Sequence, residues 1–168
     1  MNTDPVAFFT NDFPELFNRG VAETKARADG GDAKAKARYE DTAGARGAVR
    51  LVFEGGGGGE VWLAVEGGSM KGSSAKPAGL PVRMVVAAPA DAARVALEEL
   101  ASADLLSRAE APRRIARSAS AETEKVLAGH TVEMHLTLTD LPADPDEVTL
   151  RIGLGVEEPP EARSSAPP

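Results

Sequence analysis

Chemistry needs particular residue types at particular spacings, and this chain has few of them. Its only histidines are His130 and His135, five apart, in a chain without cysteine. His130 ends a loop and His135 sits on the polar face of a strand pattern, so they build neither a zinc site nor a triad. Ser73 and Lys76 match the S-x-x-K spacing of a nucleophile and its base. That pairing needs the serine at a helix start, with the lysine one turn on, but Pro77 and nearby glycines make this stretch a loop. GGSMKG around Ser69 has Lys71 where a nucleophile elbow needs glycine. Gly55 to Gly59 is followed by a strand pattern, not by Gly-Lys-Ser/Thr and a helix, so it is no phosphate loop. Asp140, Asp144, Asp146 and Glu147 lack calcium-loop spacing and read as an acidic, solvated turn. Arg113, Arg114 and Arg117 read as a solvated helix face. No catalytic constellation, metal site or cofactor motif emerges, and no enzyme activity is expected.

Composition narrows the partners. With 168 residues, the chain can bury roughly 70% of its unfolded surface, enough for one core. A net charge of −7 argues against nucleic acid or an anionic membrane as the main partner. The opening MNTDPVAFF lacks a basic region and a long apolar stretch, so no signal peptide is expected. No run approaches the ~20 apolar residues of a membrane span. The expected location is the cytoplasm, without integral membrane association. The bias to Ala, Gly, Arg and Asp fits a GC-rich bacterial source.

The elements that would position any site begin with Thr3 to Gly20, read as two helical pieces. Thr3 caps the first, and Asp12 with Glu15 forms a capping box for the second. Val6, Phe9, Phe13, Leu16, Phe17 and Val21 fall at helical spacing. The mixed-charge stretch from Val21 to Gly47, interrupted by Gly30-Gly31, reads as a solvated face or loop. Period-two alternation then marks three strands. Val49, Leu51 and Phe53 share a face. So do Val61, Leu63 and Val65, with Trp62 opposite, and then Val82, Met84 and Val86. The five glycines suit a loose hairpin loop, and Met70 marks a weaker short strand. Asp91 caps a helix carrying Ala92, Val95, Ala96, Leu97 and Leu100. A last helical segment runs from Ser120 to near Gly129. Val132 to Leu138 and Val148 to Val156 form the clearest hairpin, whose apolar face needs the central sheet or another subunit. Glu157 to Pro168 reads as a disordered tail.

In this order the elements resemble SCP2-like (sterol carrier protein 2) domains. FFTNDFPELFNRG is similar to the family's first helix, LVFEGGGGGEVWLAVEGG to its first hairpin, and VRMVVAAPADAARVALEEL to its later strand and helix. The resemblance covers residues 5 to 106. It implies an α+β fold: a curved, mainly antiparallel sheet of five to six strands with helices on one face. It also implies a hydrophobic tunnel that carries sterols, fatty acids or acyl chains without catalysis. Carried onto this chain, the tunnel lining is Phe9, Phe13, Leu16, Phe17, Trp62, Val95, Leu97 and Leu100. Residues 107–156 depart from the family, with polar helical segments and a hairpin where it has a Gly-Lys-containing strand and a closing helix. The expectation is one domain over 1–156, a tail over 157–168, and non-covalent binding of an apolar ligand. The alternative is an interaction module with a filled core. It would pair through its hairpin or sheet edge with a second copy, as a homodimer, or with a partner protein.

Overall fold

The computed structural model describes residues 2–102, 131–138 and 148–161. Asp4 starts the chain's first helix, its side chain accepting the Ala7 N–H at 2.8 Å, so the cap is Asp4 and not Thr3. Helix α1 (Pro5–Ala7) passes through a π-helical turn (Phe8–Asp12) into α2 (Phe13–Asp29) without a break. The capping box expected at Asp12 is therefore absent. Its backbone is already helical, and its carboxylate accepts from the Asn2 N–H at 2.8 Å instead. The wider turn has a packing consequence. Phe13 N–H bonds to Phe8 C=O, five residues back, which brings both rings to one side. A regular α-helix would turn them about 140° apart. Phe17 follows one turn later, and all three rings are 1 to 3% exposed.

Gly31, at φ +93°, turns the chain out of α2, and Asp32 caps α3 (Ala33–Gly44) by accepting the Ala35 N–H at 3.0 Å. The polar stretch is thus largely helical. It lies back against α2, burying Ala35.

Six strands follow: β1 (Arg46–Glu54), β2 (Gly59–Glu66), β3 (Ser69–Ser73), β4 (Val82–Pro89), β5 (Val132–Leu138) and β6 (Val148–Leu154). They form one mixed sheet in the order β3-β2-β1-β4-β6-β5. The fold is α+β, as expected. One ladder differs from the antiparallel pattern: β4 lies parallel to β1. After β3 the chain crosses to the far side of β1, where the Ala48 N–H meets Pro81 C=O at 2.8 Å. The β5–β6 hairpin extends the same sheet, pairing β6 with β4. Helix α4 (Ala90–Ser102) begins before Asp91, whose carboxylate bonds Arg94 at 2.7 Å from within the first turn.

The described helices pack on one face. Val49, Leu51, Phe53, Val61, Leu63, Val65 and Met70 meet Phe8, Phe13 and Phe17 from the first helix, with Ala90 and Leu97 from α4. Among the described residues no helix is long and apolar enough to cross a membrane.

Candidate functional site

The residues expected to line a tunnel separate into three groups. Phe9, Phe13, Leu16 and Phe17 gather on the helix side. Phe9 sits 5.0 Å from Phe8, 5.0 Å from Phe13 and 5.6 Å from Phe53, centre to centre. These rings fill the space between the first helix and the sheet. Leu97 joins the same core, Val95 is half-buried on α4, and the side chain of Leu100 lies outside the described residues. Trp62 stands apart. It points to the face away from the helices, as strand alternation requires when Val61 and Leu63 face the core.

On the helix side, apolar rows run beyond that core. Val61, Leu51, Val86, Ile152 and Met134 are successive neighbours across the sheet, as are Leu63, Val49, Met84, Leu154 and Val132. The rows start fully buried and end exposed: Val132, Met134 and Leu136 are 37, 44 and 48% accessible among the described residues. They form an apolar shelf over β4, β6 and β5, continuous with the core and on the side that carries α4.

The two edges of the sheet differ. At β3, the Asn18 carboxamide accepts the Met70 N–H at 2.8 Å and donates to its C=O at 3.0 Å, closing that edge with a side chain. At β5, no such closure is found among the described residues.

The face away from the described helices holds the other notable cluster. Here Trp62, Arg50, Val85 and Gly153 form one row, and Glu60, Val52, Ala87 and Arg151 the next. Residues 157–161, expected to belong to a disordered tail, lie across these rows. Gly155, at φ +74°, turns the chain back. Gly153 leaves the room, since a Cβ there would collide with Val156. Arg50 places Nε and Nη2 on Glu60 at 3.0 and 2.7 Å, and donates Nη1 to Glu157 C=O at 2.9 Å and Glu158 Oε2 at 2.6 Å. Burial disfavours its charge, but Glu60 and Glu158 outweigh that and raise its pKa above the ordinary arginine value. Arg151 gives Nη2 to Glu54 and Nη1 to Pro160 C=O, the latter at 2.8 Å. Lys76 reaches Glu157 at 2.8 Å and lies over the Trp62 ring, as Arg50 does.

Outward-facing arginines on strands read as solvated, which is how Arg50 and Arg151 escape notice in the sequence. A signal was present in the Glu-Glu-Pro-Pro that follows β6 too closely to travel far. Among the described residues, no group of acidic or histidine side chains is arranged to hold a metal ion. No family model, curated protein or solved structure matches this chain.

Proposed function

We propose that this protein binds an apolar, lipid-like ligand without catalysis, on the helix side of its sheet. The observation that carries this reading is the shelf of Val132, Met134 and Leu136 that continues the core rows into accessible surface. Contiguous exposed apolar area marks a surface that binds something. An acyl chain or sterol-like body fits a strip of methyl and thioether groups, with affinity from buried area at roughly 25 cal/mol per Å², less the cost of association. The resemblance to SCP2-like domains implies the same class of ligand. The site moves, however, from the packed phenylalanines to the β4–β6–β5 surface beside α4.

The test is native mass spectrometry of the purified chain, then organic extraction and lipid analysis. The expected result is a co-purifying lipid at near-unit stoichiometry, lost in the M134K variant while circular dichroism is unchanged. A ligand-free protein that also fails to take up a fluorescent fatty acid overturns the reading.

One observation favours a second reading, an interaction module. Asn18 closes the β3 edge, while at β5, among the described residues, no partner closes the edge beside the same apolar side chains. In that case L136K changes the mass in solution and no lipid binds.

A further inference from the structure

We propose that the face away from the described helices is a docking site for acidic protein segments containing a Pro-Pro pair, and that residues 156–161 of the chain occupy it in cis. This site lies on the opposite side of the sheet from the apolar shelf and does not depend on it.

The argument rests on how the two arginines are held. Each uses one side of its guanidinium on a glutamate of the sheet, Arg50 on Glu60 and Arg151 on Glu54. Each then has Nη1 left to donate to a main-chain carbonyl of the segment. Both glutamates belong to the sheet and not to the segment, which arranges those partners in advance of binding. Both side chains are largely buried, at 16 and 9% accessibility, where hydrogen bonds to a charged donor are strongest. Main-chain carbonyls carry no identity, and any chain of the right shape can supply them.

The shape is specified by spacing. The two carbonyls belong to Glu157 and Pro160, three residues apart. The chain bends at Glu157 and Glu158, and both carbonyls meet the arginines of the sheet. Pro159 and Pro160 fix their own φ angles, and Pro159 disfavours helical backbone at Glu158. The segment is thus stiff before it binds and loses little entropy on docking. Charge sets the rest of the preference. Glu157 pairs with Lys76 and Glu158 with Arg50, and both cations lie over the Trp62 ring, itself 5% exposed. The partner that fits is a stretch reading acidic-acidic-Pro-Pro.

The experiment uses the full chain carrying E157K/E158K, which sets two lysines against Arg50 and Lys76 and leaves every receiving residue in place. Trp62 is the only tryptophan, so its emission reports the site. The probe is the synthetic peptide acetyl-VEEPPE-amide. The variant is expected to emit further to the red than the parent chain. Peptide should return the emission to the blue in a saturable titration that R50A in the same background abolishes. Acetyl-VKKPPE-amide should produce no change. A variant that is folded by circular dichroism yet gives no saturable response at millimolar peptide overturns the proposal, as does an equal response to the lysine peptide. If the charge-reversed chain does not fold, the near-isosteric E157Q/E158Q chain takes its place. There acrylamide quenching of Trp62 should exceed that of the parent and fall back as peptide is added. Quenching that peptide leaves unchanged overturns the proposal in that chain too.

Discussion

Asn18 is where a single side chain replaces a strand. Its carboxamide offers Met70 the acceptor and the donor that a neighbouring peptide would offer. N18L leaves both Met70 groups part-buried without those partners, at a cost of about 1–3 kcal/mol. Urea unfolding should show a lower midpoint at unchanged slope. N18D, which keeps the acceptor and loses the donor, should fall between the parent and N18L. Nothing in the sequence marks this role, because an asparagine within a helix pattern reads only as a weak helix former. Its strand partner is 52 residues away. Phe8 escaped the sequence reading for a related reason. A period of 3.6 residues selects Phe9, Phe13 and Phe17. The π turn instead brings Phe8 under Phe13 and leaves Phe9 only partly buried, stacked on Phe53.

Between elements, the π turn comes close to β3. A Cβ built at Gly72 would lie 2.7 Å from both Phe9 O and Thr10 Cα, backbone atoms that cannot rotate away. G72V must lift the first helix off the sheet edge. Overpacking of this kind costs about 1–3 kcal/mol, and each kcal/mol lowers Tm by roughly 2–4 °C in a chain of this size. A scanning calorimeter would detect it, and an unchanged Tm would mean that the helix is not seated on β3. The strands themselves were legible, since alternation placed Val49, Leu51 and Phe53 of β1, Val61, Leu63 and Val65 of β2, and Met84 and Val86 of β4 on the core face, whereas a register shift at the start of β4 sets Val82 beside Ala48. The strands' neighbours were not legible, because a period of two says which way a side chain points and nothing about which strand lies beside it. The parallel β1–β4 ladder therefore had no signature. The hairpin also inverts the usual rule. On β5 the apolar residues Val132, Met134 and Leu136 are accessible, while Arg151 and Gly153 on the other side of β6 are buried by the returning segment.

For the whole molecule, the ladder between β4 and β6 runs only from Met84 to Ala87, whereas β1 and β2 pair from Arg46 to Phe53. The returning segment bridges that short ladder, bonded to Arg50 on β1 and Arg151 on β6. Amide hydrogen exchange should therefore show β5 and β6 opening together, ahead of β1 and β2. Their exchange should quicken at high salt, where the exposed parts of the ion pairs are screened. Uniform exchange across all six strands would contradict this. The acidic, proline-containing end read as disordered because its composition buries little apolar area. Its order comes instead from two arginines that only the assembled sheet brings together. The placement of β4 also matters while the protein is being made. By the time Ser73 has been synthesised, the first helix and β1 to β3 already contain most of the phenylalanine core. At about 5–20 residues per second, β4 arrives about 1–3 s later. During that interval the strand destined for the interior of the sheet has one side unoccupied, and neighbouring nascent chains on the same messenger carry the identical strand in the identical state.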